Sequence, residues 1–295
     1  MITGDALRRI RRLEIRTRQL VNDTFGGAYH SVFKGRGIVF EAVRPYEPGD
    51  APRDIDWNVT ARMGQPFVKQ YVEERELTVM LVLDASASCL FGTTTASKRD
   101  LAAELGAVLA YSAIRNQDKV GLLAFSNQVE RFVAPRKGRN HILRLIRDLL
   151  TLETQNRSTD LGLAFRTLSR LLKRRSVIFV MSDFLAPVES YRIELALLAR
   201  RHDVIAILLG DPRERAWPAA GLLRVCDAET GEVQYVDTGD MRWRAGFERQ
   251  TRRFRSAVQN LLDENHIDRI DLLTEDDYVG ALTQFFERRS RRLRL

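Results

Sequence analysis

Two cysteines, Cys89 and Cys226, stand far apart in a chain of 295 residues. They supply no disulfide framework, and a reducing cytoplasm fits so low a thiol content. Histidine is almost as scarce. The four, His30, His141, His202 and His266, form no ligand-like pair, which argues against a zinc site. His202 reads as a surface residue at a helix end rather than a ligand. Long apolar runs are missing too. LTVMLVL, LGAVLAYSAI and VIAILLG fall far short of a membrane span. The N-terminal MITGDALRRIRRLEIRTRQL has no apolar segment of the signal-peptide kind. The expectation is a soluble, cytoplasmic protein with no transmembrane segment. There is no G-x-x-x-x-G-K-S/T phosphate loop, and Gly35-Arg36-Gly37 is only a fragment of a phosphate-binding pattern. Ser86 lies in no G-x-S-x-G elbow and has no evident histidine base. Nucleotide hydrolysis and serine catalysis thus lack their signatures.

What is present is ample for a core. Hydrophobic residues make up 44% of the chain and charged residues 29%. The formal net charge is +8, with much of the excess in RRIRRLEIRTR and RRSRRLRL at the two ends. Such runs can touch anionic lipid, nucleic acid or acidic protein. No aromatics are interleaved with these arginines, so a solvated helix face and a tail are expected, and no specific nucleic-acid surface.

The spacing of Leu7, Ile10 and Leu13 predicts an amphipathic helix over Asp5 to Leu20. A turn-rich stretch, Phe25 to Gly37, follows. The next segment, VFEAVRPYEPGDAPRDIDWNVTARMGQPFVKQYVEERE, holds four prolines and short alternating runs such as Phe67 to Val72. It reads as a small, irregular, strand-containing region. From Leu77 the pattern becomes regular. LTVMLVL, VGLLAF, SVIFVM and VIAILL are continuous apolar runs, as expected of strands buried on both faces. Helical periodicity separates them. LLRVC and VQYV flank Glu229-Thr230-Gly231 as a β-hairpin, then come a helix over Met241 to Glu264, a short strand near Ile270 to Leu273 and a last helix. Strands alternating with helices imply right-handed crossovers. The expected fold is α/β, with a doubly wound, mostly parallel sheet, a small N-terminal β-containing region and a hairpin insertion. The expected division is 1–76 and 77–295.

In such a sheet ligands bind beyond the carboxyl ends of the strands. One strand runs into Asp84-Ala85-Ser86-Ala87-Ser88 and another ends in Met181-Ser182-Asp183, while Ser158-Thr159-Asp160 opens a helix. Singly, each has a plain reading. Ser86 and Ser88 could cap a helix, Thr159 could be an N-cap, and Asp183 could make a turn. Together they gather hard oxygen donors at strand ends. Such donors suit Mg²⁺, Mn²⁺ or Ca²⁺ and not zinc or copper.

Asp84-x-Ser86-x-Ser88 with Thr159 and Asp183 resembles the metal-ion-dependent adhesion site of von Willebrand A-type domains. The resemblance implies that Ser86, Ser88 and Thr159 coordinate the ion directly or through water. It implies that Asp84 and Asp183 act mostly through water or hold the ligands in place. Cys89 stands where such domains often carry methionine. A second resemblance rests on Arg44-Pro-Tyr46-Glu-Pro-Gly49-Asp50, Arg53-Asp-Ile55-Asp56-Trp57-Asn58, Ala61-Arg62 and Val68-Lys69. This stretch resembles the bacterial domain-of-unknown-function family 58. That family implies association with MoxR-type AAA+ ATPases. Read from its residues alone, Arg44 to Arg62 is a charged turn region whose Arg–Asp pairs are expected to fix the small region against the main domain.

The expected function is therefore a non-enzymatic, metal-dependent protein-interaction module, an adaptor or co-chaperone for a MoxR-type ATPase or another protein presenting Asp or Glu to the ion. The alternative is a divalent-metal-dependent hydrolase. It needs a general base, and only Asp84, Asp183 and Asp160 are on offer.

Overall fold

The structure, a computed structural model, describes residues 4–21, 29, 32–33, 38–73, 76–94, 96–152, 154 and 158–292. The turn-rich stretch expected over Phe25 to Gly37, with its Gly35-Arg36-Gly37, lies largely outside them. Two compact units emerge: a small one over Phe33–Leu77, and a large one of 78–295 together with the described residues before 33.

The N-terminal helix α1 (Gly4–Leu20) belongs to the large unit. This departs from the expected division at 76. The reason is packing. Leu13 and Thr17 are buried, Glu14 accepts from Arg139 at 2.8 Å, and Arg16 lies 3.9 Å from Glu104.

In the small unit, β1 (Ile38–Pro45) pairs antiparallel with β2 (Phe67–Glu73). A short helix α2 (Trp57–Met63) lies between them in sequence. Asp56 caps it by accepting from the N–H groups of Asn58 and Val59. Gly64 ends it at φ 70°, a left-handed conformation that suits glycine. The Arg44 guanidinium grips Asp50 with two bonds of 2.6 and 2.7 Å. That pair is internal to the small unit and closes its own turn.

The large unit is built on a six-stranded sheet in the order β10-β7-β6-β3-β4-β5. Its strands are β3 (Thr78–Asp84), β4 (Lys119–Phe125), β5 (Val129–Arg136), β6 (Val177–Ser182), β7 (Asp203–Gly210) and β10 (Asp268–Leu273). All neighbours are parallel except the β4–β5 pair. β5 escaped the sequence reading because VERFVAPR is an edge strand, mostly exposed and without a continuous apolar run. Elsewhere the apolar runs mark the strands because helices cover both faces. These are α3 (Lys98–Arg115), α4 (Arg139–Thr151), α5 (Leu161–Leu171), α6 (Arg192–Arg201), α8 (Met241–Glu264) and α9 (Tyr278–Arg292), with a single turn, α7 (Pro212–Arg215), after β7. The hairpin β8 (Leu222–Cys226) and β9 (Val233–Asp237) forms a separate two-stranded sheet.

Every residue of β3 after Thr78 is buried. Each fully buried Val or Leu contributes about 1.5–3 kcal/mol relative to exposure, so β3 is held firmly where the site begins. The Met80, Phe125, Phe165, Phe179 and Tyr191 side chains fill the core around it. The chain leaves β3 on one side to form β4 and returns on its other side as β6. The carboxyl end of β3 is therefore a topological switch point, where open α/β sheets bind ligands.

His202 does not lie on the surface as expected. It is 4% exposed, at the junction of α6 and β7. Burial and the neighbouring Arg201 and Arg175 hold its imidazole below the ordinary value. The basic C-terminal helix is tied down rather than merely solvated. Arg289 is clamped between Asp203 and Asp268, and Arg292 reaches Asp268 at 2.8 Å. Cys89 is buried and Cys226 exposed, both as free thiols. Among the described residues no helix is long and apolar enough to cross a membrane.

Candidate functional site

Asp84 is the last residue of β3, in register with Phe125 of β4, and is fully buried. One carboxylate oxygen accepts the Ser86 N–H at 3.0 Å and the other accepts the Ser182 hydroxyl at 2.6 Å. Asp84 thereby joins the loop that leaves β3 to the end of β6. Burial, and then repulsion from Asp183, raise its carboxyl to about 7 against the lowering effect of its hydrogen bonds.

Ser86 and Ser88 follow on alternate positions. Their hydroxyl oxygens are 3.1 Å apart. Ser86 occupies the cap position of a single 3-10 turn (Ala87–Leu90), but its hydroxyl makes no capping bond. The simple capping role therefore does not account for these two serines. Cys89 lies beneath them, and burial followed by the charges of Asp84 and Asp183 pushes its thiol well up.

Asp183 follows β6 and its side chain is 3% exposed. One oxygen accepts the Leu185 N–H at 3.2 Å, so the expected turn role is real. The other accepts from the Lys98 ammonium at 2.6 Å. The next residue, Phe184, has φ 54°, a left-handed conformation unusual for a bulky side chain. Its ring is buried edge-on against Tyr191, 6.1 Å between centroids. Packing thus holds the backbone strain next to Asp183, as at many functional sites.

Thr159 comes from the loop before α5. Two bonds tie described residues on either side of it to the carboxyl ends of β3 and β4. The Thr154 hydroxyl donates to the Ala85 carbonyl at 2.9 Å, and the Asp160 N–H donates to Ser126, just beyond β4, at 3.0 Å. Asp160, not Thr159, is the N-cap of α5, accepting from Leu163. The Thr159 hydroxyl is released from capping and donates instead to Glu229 at 2.7 Å. All five sequence-chosen residues, Asp84, Ser86, Ser88, Thr159 and Asp183, are thus at the carboxyl end of the sheet.

Two residues of this neighbourhood were missed. Lys98 is fully buried, with its ammonium 2.6 Å from Asp183 and 2.5 Å from Glu214. Burial works to lower its pKa, but the two carboxylates outweigh that and raise it. Burial raises the Glu214 carboxyl despite Lys98. A lysine at the first position of a helix opposes the helix dipole. That adverse placement, directly after the Ser97 cap, was the available signal for a buried acidic partner. Among the described residues no cluster of three or more His, Cys, Asp or Glu side chains is arranged to hold a metal. The donors gathered here are mainly hydroxyls.

The mostly parallel six-stranded sheet, flanked by helices, gives an α/β fold of the von Willebrand A-like kind. The chain is similar to a solved aerotolerance-related membrane protein from Bacteroides fragilis, with 15% identity, TM-score 0.50, and 73% of this chain and 99% of that one covered. It is also similar to the solved Rpn10 VWA domain, at 13% identity and TM-score 0.42, over 72% of this chain and 95% of that one. The chain belongs to the family described as Protein of unknown function DUF58, whose pattern matches residues 42–257. An uncharacterized protein of Mycobacterium tuberculosis is 32% identical over 284 residues, 96% of this chain and 89% of that protein.

Proposed function

We propose that this chain is a metal-dependent protein-interaction module whose site accepts an acidic side chain from its partner. The observation that carries the reading is the convergence of the Ser86 and Ser88 hydroxyls, 3.1 Å apart, over the buried Asp84. Hydroxyls with two carboxylates behind them fit a small hard cation, Mg²⁺ first, with Mn²⁺ or Ca²⁺ as substitutes. Ser86, Ser88 and Thr159 would hold it, with Asp84 and Asp183 as the anionic backing. When bound, the ion supplies a Lewis-acidic position that a partner carboxylate can complete.

The rest is work done by this chain. Asp84 orients the serine loop through the Ser86 N–H and locks it to β6 through Ser182. Lys98 neutralises Asp183 from behind, which leaves the front of the site short of full negative charge. Thr159 already donates to a carboxylate, that of Glu229, so its hydroxyl points where an acidic residue can be received. The net charge of +8 favours encounter with an acidic surface. The family resemblance makes a MoxR-type AAA+ ATPase the partner of choice and this chain its adaptor, working without catalysis of its own.

Calorimetric titration with Mg²⁺ and Mn²⁺ tests the ion. One site per chain is expected in the wild type and none in Asp84→Ala; equal binding by both ends the reading. Docking is tested by partner affinity and melting temperature of Thr159→Ala, each with and without EDTA. Loss of affinity in a protein of unchanged melting temperature supports the mechanism. Affinity indifferent to EDTA overturns it.

A further inference from the structure

Beside the site, beyond the carboxyl ends of β6 and β7, lies a cavity of about 390 Å³. Asp183 and Glu214 form part of its wall, so it adjoins the residues described above. Most of the remaining wall is apolar. Phe91 and Leu185 come from the two site loops, and Trp217, Phe247 and Phe254 from α8 and the segment before it. The aromatic corner is rigid: Trp217 meets Phe247 edge-on at 6.3 Å, and Trp243 stacks on Phe247 at 5.6 Å. Apolar surface continues outward from the cavity. Leu90, Phe91 and Leu185 are 55%, 36% and 48% exposed, and each lies close in sequence to Ser88 or Asp183.

The polar groups of this wall are unevenly satisfied. Asp183 and Glu214 are spoken for by Lys98. Arg255 is engaged with Asp271 at 2.8 Å. Among the described residues, however, the buried Nε–H of Arg215 and the buried indole N–H of Trp217 find no hydrogen-bond acceptor. Native structures rarely leave such donors unmet. Burial, and then the nearby charge of Arg255, work against the Arg215 guanidinium and outweigh the help of Asp271, Asp276 and Glu214. The cavity therefore combines an aromatic wall, two idle donors and an under-compensated cation. The occupant that answers all three has a bulky apolar body next to a carboxylate.

We propose that this cavity binds a bulky apolar side chain lying beside a carboxylate on an acidic segment of the partner protein, with Arg215 and Trp217 receiving the acid. The identity of that source rests on the reading of the chain as an interaction module. Ser86, Ser88 and Thr159 take no part in the cavity wall, so the two ideas can fail separately. Three probes isolate the chemistry: N-acetyl-phenylalanine, its amide, and N-acetyl-glycine. Trp217 and Trp243 report binding by their fluorescence in a Trp57→Phe background.

N-acetyl-phenylalanine is expected to shift the emission saturably and to bind about tenfold more tightly than either control, with EDTA making no difference. Arg215→Gln should reduce its affinity to that of the amide. Thr251→Trp, which projects a ring from α8 into the cavity, should abolish the response. Equal responses to all three probes overturn the proposal, and so does wild-type binding in both variants. Octanoate binding more tightly than N-acetyl-phenylalanine overturns the assignment to a peptide segment. Should the probe bind in EDTA while calorimetry finds no ion, the cavity stands and the metal reading falls.

Discussion

The hydroxyl of Thr159 donates to the carboxylate of Glu229 at 2.7 Å, although the two residues belong to different loops seventy positions apart. Glu229 is presented by the β8–β9 turn, where Asp227 accepts the N–H groups of Glu229 and Thr230 and so fixes the turn. The hairpin itself is lightly held, with Leu222 and Tyr235 70% and 69% exposed. The chain thus supplies its own acidic residue to the threonine that a partner would use.

Glu229→Ala should therefore strengthen partner binding, by about tenfold if one charge-assisted bond is the competitor. The measurement is affinity for a purified MoxR-type ATPase in Mg²⁺. The same substitution in a Thr159→Ala background should have no further effect. Weaker ion binding by Glu229→Ala in calorimetry would instead make Glu229 part of the ion's own shell.

Lys98→Met should destabilise the fold. It removes the one ammonium that meets both Asp183 and Glu214, and Asp183 is almost fully buried. Breaking a buried pair by deleting one partner costs about 3–5 kcal/mol. Urea denaturation should show that loss in EDTA, with part of it restored by Mg²⁺. Equal stability of Lys98→Met and wild type in EDTA would mean that the pair contributes nothing net.

His202 should make the protein sensitive to mild acid. Burial lowers its folded pKa below the ordinary value of about 6.5. Below that value the unfolded chain takes up a proton that the folded chain resists. Stability from this group is complete above about pH 6.5 and is lost as the pH falls toward the depressed folded value. Neither ring nitrogen has a hydrogen-bond partner among the described residues, so no bond holds the charged form in the fold. As the pH falls through this range, the melting temperature of the wild type should drop relative to that of His202→Leu. Parallel curves would exclude His202 as the acid-sensitive group.

Turnover of ATP, phosphoesters or peptides is expected to be absent from the purified chain. Asp84 is held by Ser86 and Ser182, Asp183 by Lys98, and Asp160 by the N–H of Leu163. The expectation rests on these structural partners of all three carboxylates. Metal-dependent hydrolysis that disappears in Asp84→Ala would replace the interaction reading with an enzymatic one.

Most of the strands and helices, the doubly wound sheet and the position of Asp84, Ser86, Ser88 and Asp183 beside strand ends were legible in the sequence. Strands buried on both faces must be continuous apolar runs, and ligands of such sheets gather where those runs end. The donors Asp84, Ser86, Ser88 and Asp183 are adjacent to those ends, so local reading located them. β5, His202 and the placement of α1 were misjudged or missed. An exposed edge strand carries no apolar run, and a lone histidine carries no mark of its burial.

The sequence by itself determined what is periodic or local: which segments bury both faces, which loops carry oxygen donors, and which catalytic patterns are missing. Only the tertiary structure decided which charges meet. Lys98 joins Asp183 and Glu214 across more than eighty positions. Glu229 reaches Thr159 from a hairpin, and Arg215 and Trp217 are left with unmet donors in an aromatic cavity. The physical reason is range. Hydrophobic period is set by the backbone geometry of each element. The pairing of a buried charge depends on which distant loops the sheet order brings to the same end.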